Sequence, residues 1–195
     1  MSEQEISCSD IYMQDSLVFT EGSKYLIRAH SGRGKSSLLN FIYGSSNHYC
    51  GEISYDDKLK AKGIQSEVIS YVFQDLKLFP TLTVWENIKL KNDLTHYKSE
   101  AQIEEMIVLL GLSFKRNQLV GELSFGQQQR VAILRALCQP FDFLFLDEPF
   151  SHLDQENVKQ VVVLIEKELA SQKAGLLLTS LDPCVSFKYD SILHL

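Results

Sequence analysis

The clearest chemistry in the chain lies in Ala29-His30-Ser31-Gly32-Arg33-Gly34-Lys35-Ser36-Ser37. Gly32 and Gly34 permit backbone conformations in which successive N–H groups point inward and cradle phosphate oxygens. A helix starting just after them would add its dipole, Lys35 would reach the β- and γ-phosphates, and the Ser36 hydroxyl would take a Mg²⁺ position. The pattern G-x-x-x-x-G-K-[ST] is broken at its first place by Ala29, which is tolerable there only if its φ stays negative. His30 and Arg33 occupy variable positions, and His30 by itself reads as a solvated loop residue. A glycine-rich strand-to-helix turn without a ligand remains the alternative for the whole stretch. A second candidate is Asp147-Glu148, which follows the apolar run Phe143–Leu146. Two carboxylates at the C-terminal edge of a parallel sheet suit a metal ligand followed by a base that orients an attacking water. The plainer reading is the start of a solvated loop. Ser124 with Gln127, and Asp154 after Ser151-His152-Leu153, read first as helix caps. A capped N-terminus carrying Ser124 and Gly126 is also a γ-phosphate binder in principle.

These groups need elements to hold them. Ser16–Phe19 and Lys24–Ala29 read as strands, and Ser36–Tyr43 as a helix that Gly44 closes. Ile53–Tyr55 reads as a strand running into a turn at Asp56-Asp57, and Val68–Phe73 as a β-branched, aromatic strand. Ser99 with Gln102 forms a capping box ahead of Ile103, Met106, Ile107 and Leu110 at helical spacing, and Gly111 stops that helix. A further helix begins after Ser124 and ends before Pro140. Residues 77–138 are therefore helix-rich. Phe143–Leu146 is a strand covered on both faces. Val158, Val161, Val162, Ile165 and Leu169 line a helix capped by Asp154, and Leu176–Thr179 and Ile192–Leu195 complete the strands. The alternation predicts an α/β fold with a mainly parallel sheet.

Composition narrows the function classes. The chain has 195 residues, 45% of them hydrophobic and 23% charged, with a net charge of −6 and a pI near 5.4. That is about one domain with a real core, and it argues against disorder. The acidic balance argues against a direct grip on nucleic acid or on an anionic membrane surface, and no direct membrane insertion is expected either. The longest apolar stretches fall far short of the roughly 20 residues a spanning helix needs. MSEQEISCSD has no basic or apolar region of a secretory signal. Cys8, Cys50, Cys138 and Cys184 are dispersed, without zinc-type or C-x-x-C spacing, and read as buried thiols of a reducing cytosol.

In order, the chain reads AHSGRGKSS, YVFQD, LSFGQQQR, FLFLDEP and SHLD. This succession resembles the nucleotide-binding subunit of ABC (ATP-binding cassette) transporters, from about residue 16 to 182. The stretch FQDLKLFPTLTVWENI looks like cassettes of the lipoprotein-releasing and macrolide-exporter type, and amino-acid importers carry similar text. The resemblance implies one nucleotide-binding domain over residues 1–195. Its P-loop NTPase (RecA-like) core would carry an α-helical subdomain at roughly 77–138 and a short N-terminal β region. It implies ATP and Mg²⁺ as cofactors, a second cassette bound head to tail, and a membrane-spanning permease that keeps the chain at the inner face of the cell membrane. Residues 29–37 would hold the phosphates, with Lys35, Ser36 and Ser37 central. Gln74 would touch Mg²⁺ or the attacking water, Asp147 would bind the metal through water, and Glu148 would be the base. Ser124, Gly126 and Gln127 would contact the other subunit's ATP, and Asp154 would connect the two sites. Phe125 stands where the family has a first glycine, yet the cross-dimer contact is expected to survive. Ser180 stands at the switch-histidine position, which implies slowed hydrolysis unless His152 or another group substitutes. The N-terminal hairpin is shortened, with Tyr12 the nearest candidate to stack on adenine. The function implied is ATP-driven transport. The alternative is an ATP-dependent signalling cassette, and DNA-repair or translation cassettes are disfavoured by the lack of coiled-coil insertions.

Overall fold

The computed structural model describes residues 16–30, 32–56, 68–181 and 187–195. Among these residues five strands, β1 (Lys24–Arg28), β2 (Ile69–Val72), β3 (Phe143–Asp147), β4 (Gly175–Ser180) and β5 (Ser191–His194), form one sheet in the order β2-β3-β4-β1-β5. Every pairing is parallel. Among the described residues five α-helices accompany them: α1 (Lys35–Tyr43), α2 (Val84–Thr95), α3 (Glu100–Leu109), α4 (Phe125–Leu137) and α5 (Gln155–Gln172).

Strand alternation divides the core. Leu26, Leu144, Leu146, Leu176 and Leu178 point to the face covered by α4 and α5. Tyr25, Ile27, Phe143, Phe145 and Leu177 point to the other face, with Leu38 and Leu39 of α1. All five residues of β3 are buried, which is why its sequence carries no polar alternation until Asp147. Each fully buried Leu or Phe contributes about 1.5–3 kcal/mol by burial alone.

Two expected strands are absent. Ser16–Phe19 is irregular, because both edges of β1 are already taken by β4 and β5. Phe19 instead meets the Tyr25 ring edge-on at 4.9 Å, and the Thr20 N–H donates to the Tyr25 hydroxyl at 3.0 Å. Ile53–Tyr55 is also irregular, and the Tyr55 hydroxyl donates to the Ile42 carbonyl at the end of α1. Asp57, in the expected turn, lies outside the described residues, as do Tyr12, Ser31, Cys8 and Cys184. Cys138 is buried as expected, but Cys50 is exposed.

The helix-rich segment contains a helix that sequence patterning did not single out. In α2, the Thr83 hydroxyl accepts from the Glu86 N–H while the Glu86 carboxylate accepts from the Thr83 N–H. Behind α2, Lys98 reaches Glu168 of α5, with both carboxylate oxygens at 2.7 Å. The pair is nearly dry, at 9% and 5% side-chain exposure. Among the described residues no helix is long and apolar enough to cross a membrane.

Candidate functional site

The turn after β1 closes with the Arg33 N–H donating to the His30 carbonyl at 3.3 Å, and it delivers Gly34 to the start of α1. Gly32 and Gly34 have φ of 77° and 88°, the left-handed region that glycine enters without a Cβ clash. Ala29 is not among the residues with positive φ, which meets the condition its side chain imposes. Helices α2, α3, α4 and α5 each begin under a side-chain cap, from Thr83, Ser99, Ser124 and Asp154. By contrast, α1 begins at Gly34 with no side-chain cap. Its first-turn N–H groups and its dipole are left to an external anion. Ser36 and Ser37 follow on that turn.

Lys35 adds a full charge there, although only 5% of it is exposed. Its ammonium donates to the Ala29 carbonyl at 2.8 Å and the His30 carbonyl at 3.3 Å, and lies 3.1 Å from the Glu148 carboxylate. A buried ammonium needs such partners, because an unpaired one costs several kcal/mol. The turn, Lys35 and the acidic strand end therefore meet at one place.

Asp147 ends β3 directly opposite Thr179 of β4. The Thr179 hydroxyl donates to Asp147 Oδ1 at 2.6 Å and accepts the Glu148 N–H at 3.0 Å. Glu148 itself has φ of 49°, a conformation that costs a non-glycine residue about 1–3 kcal/mol. Its carbonyl is held by the Gln129 amide at 3.1 Å and the Ser151 hydroxyl at 3.2 Å.

Gln74 follows β2, and its side-chain oxygen lies 3.5 Å from the Ser36 hydroxyl. With Asp147, these two line a cavity of about 480 Å³. The wall also includes Tyr71, whose buried hydroxyl has no hydrogen-bond partner among the described residues. Burial first, then the Asp147 charge, pushes the Tyr71 hydroxyl well above the usual phenol range, so it stays a donor. The oxygens of Ser36, Gln74 and Asp147 are hard donors that fit Mg²⁺, which binds few protein ligands and keeps waters. Beyond Gln74 the chain turns sharply, with Leu76 and Lys77 at φ of 60° and 47°. Arg135 of α4 secures that turn through both residues' carbonyls, at 2.9 and 2.8 Å.

Ser124 and Gln127 form the expected capping box: the Gln127 N–H donates to the Ser124 hydroxyl, and the Gln127 amide oxygen accepts from the Ser124 N–H. Asp154 caps α5 through the Asn157 N–H at 2.8 Å. Gly126 is required by close approach, since a Cβ there would lie 2.6 Å from the His152 carbonyl oxygen. Phe125 is partly exposed and meets the His152 ring edge-on at 4.3 Å. Among the described residues, no hydrogen bond joins Ser124, Gly126 or Gln127 to the turn at 29–37. Ser180 ends β4 beside Thr179, opposite Arg28 of β1.

Sequence reasoning brought Lys35, Ser36, Gln74, Asp147 and Glu148 to one site, and missed Thr179, Gln129, Tyr71 and Arg135. Pairing β3 with β4 in parallel register would have pointed to Thr179. The other three sit at positions that periodicity alone reads as core or helix surface.

Comparison with known proteins bears on the family and the fold. The family model described as "ABC transporter" matches residues 12–151. The thiamine import ATP-binding protein ThiQ of Histophilus somni is 39% identical, over 82% of this chain and 76% of its own length. The lipoprotein-releasing system ATP-binding protein LolD of Syntrophotalea carbinolica is 28% identical, over 95% and 86%. The dimeric ABC transporter cassette MJ0796 superposes with a TM-score of 0.70 at 30% identity, covering 84% of this chain and 77% of that one. The same cassette in a post-hydrolysis state bound to ADP and Pi superposes with a TM-score of 0.67. The fold is the P-loop NTPase fold of ABC cassettes, and the likeness to lipoprotein-releasing cassettes stands beside a higher identity to import proteins. The chain belongs to the ABC transporter family, as the ATP-binding, ATP-hydrolysing subunit that powers a membrane permease.

Proposed function

We propose that residues 1–195 form one nucleotide-binding domain, with its helical part at roughly 77–138, that binds Mg²⁺-ATP and closes on a second cassette. The observation that carries this reading is the uncapped N-terminus of α1 beside a buried Lys35, set against Asp147 and Glu148. Residues 29–37 bind the phosphates. Ser36, Gln74 and Asp147 would hold Mg²⁺, which supplies neutralisation of phosphate charge. Lys35 exchanges its loop carbonyls and Glu148 for phosphate oxygens, and that exchange frees the Glu148 carboxylate to orient a water. Gln74 adjoins the same water and carries the turn that Arg135 secures.

Across the dimer, the start of α4 presents Ser124, Gly126 and Gln127 to the partner's γ-phosphate, and Asp154 links the two sites. That MJ0796, a similar cassette, forms a dimer supports the pairing of two cassettes. The permease keeps the chain at the inner face of the membrane. Relatives named for thiamine and glucose import favour import as the direction. Hydrolysis is slow, because Ser180 offers a short neutral hydroxyl where the family places an imidazole. Slow turnover also suits a second reading, an ATP-dependent signalling cassette. Glu148→Gln tests the core of the proposal: the variant should accumulate as an ATP-bound dimer in size-exclusion chromatography with saturating Mg²⁺-ATP. A Glu148→Gln protein that stays monomeric there refutes the closing mechanism.

A further inference from the structure

Thr179 stands out in a strand whose other buried positions are apolar. In β4, Gly-Leu-Leu-Leu-Thr-Ser, the first five positions are buried and Thr179 is 0% exposed. Burying a hydroxyl is unfavourable unless both its donor and acceptor capacity are used. Here both are used, and both are spent on the same dipeptide. The proton goes to Asp147 Oδ1 at 2.6 Å, and a lone pair takes the Glu148 N–H at 3.0 Å. The Thr179 carbonyl also accepts from that N–H, at 3.2 Å.

Two consequences follow from that geometry. The bond to Oδ1 fixes the rotation of the Asp147 carboxylate and leaves its second oxygen for the cavity shared with Ser36 and Gln74. The bond to the Glu148 N–H pins a residue whose φ of 49° an L side chain rarely adopts, and so aims its carboxylate toward Lys35 at 3.1 Å. Parallel register makes both bonds available to one hydroxyl, because Asp147 lies opposite Thr179.

We propose that Thr179 is a positioning residue for the Asp147–Glu148 pair, one hydroxyl that orients the metal-binding carboxylate and the base together. The inference rests on the nucleotide reading given above. It touches no substrate, so it predicts loss of turnover and of metal affinity with nucleotide affinity spared.

Thr179→Val removes the hydroxyl at nearly constant volume, and Thr179→Ser keeps it. The readouts are steady-state ATPase and the affinity for Mn²⁺, measured by its EPR signal in the presence of a non-hydrolysable ATP analogue. The Val variant should lose about ten- to a hundredfold in kcat, as expected for losing a hydrogen bond to a charged group. Its Mn²⁺ affinity should weaken about tenfold while KM for ATP moves less than about threefold. The Ser variant should recover both to within about threefold of the wild type. Thr179→Cys, a weak donor of similar size, replaces Val if the Val variant does not fold. Wild-type turnover and Mn²⁺ affinity in the Val or Cys variant, or a Ser variant as impaired as Val, overturns the inference alone. A wild-type protein that binds no ATP analogue with Mn²⁺ overturns the nucleotide reading and this inference with it.

Discussion

Gly126→Ala should destabilise the chain and weaken ATP-dependent dimerisation. Two effects oppose each other. Alanine is favoured over glycine within a helix by about 1 kcal/mol, and Gly126 lies in the first turn of α4. Against this, the added Cβ would lie 2.6 Å from the His152 carbonyl oxygen and 3.5 Å from Leu153 Cδ2. The first distance is about 0.8 Å inside an ordinary contact, and the obstructing atom is backbone, which cannot rotate away. Overpacking of this kind costs about 1–3 kcal/mol, and a backbone obstruction at 2.6 Å puts this substitution in the upper part of that range, about 2–3 kcal/mol, so the net loss should be about 1–2 kcal/mol. In a domain of this size that lowers Tm by roughly 2–8 °C. The relief must come from parting the start of α4 from the 151–154 loop, so Ser124 and Asp154 lose their relative placement. Thermal unfolding by circular dichroism reads the first effect. Size-exclusion chromatography of Glu148→Gln with and without Gly126→Ala, across an ATP titration, reads the second. An alanine variant that melts at or above the wild-type temperature and dimerises at the same ATP concentration refutes the reasoning, since helix propensity would then outweigh the clash.

Three further outcomes are expected. Ser180→His should raise steady-state ATPase, because a transition-state donor is worth on the order of 3 kcal/mol, about a hundredfold; an unchanged rate shows that another group already serves. Glu168→Ala should cost about 3–5 kcal/mol in urea denaturation, since it strands the Lys98 ammonium in a nearly dry site. A loss below about 1 kcal/mol would show that water reaches Lys98. In a chain carrying Cys8→Ser and Cys184→Ser, exposed Cys50 should react promptly with a thiol reagent at pH 8. Cys138 should react only on unfolding, because burial pushes its thiol up to about 12 and so disfavours the thiolate. Two fast equivalents in the folded protein would contradict the burial of Cys138.

Local chemistry determined much of this protein without the fold. Gly32, Gly34 and Lys35 between a strand and a helix can be read as a phosphate turn because conformational freedom and charge belong to the residues themselves. The caps at Ser99, Ser124 and Asp154 follow from short-range hydrogen bonding, and β3 followed by Asp147 from an unbroken apolar run. Ser16–Phe19 shows where that reasoning ends: strand-like residues form a strand only if an edge is open, and β1 had none. The same holds within the site. Thr179 looks like one more β-branched residue until parallel pairing sets it against Asp147, 32 positions away in sequence. Gln129 and Arg135 look like a helix surface until α4 packs where they can hold the Glu148 carbonyl and the turn after Gln74. Residue types and spacing thus determined which groups are the candidates for the chemistry. Tertiary structure decided which groups hold them in place, because a buried polar atom takes its partner from whatever the packing brings within about 3 Å.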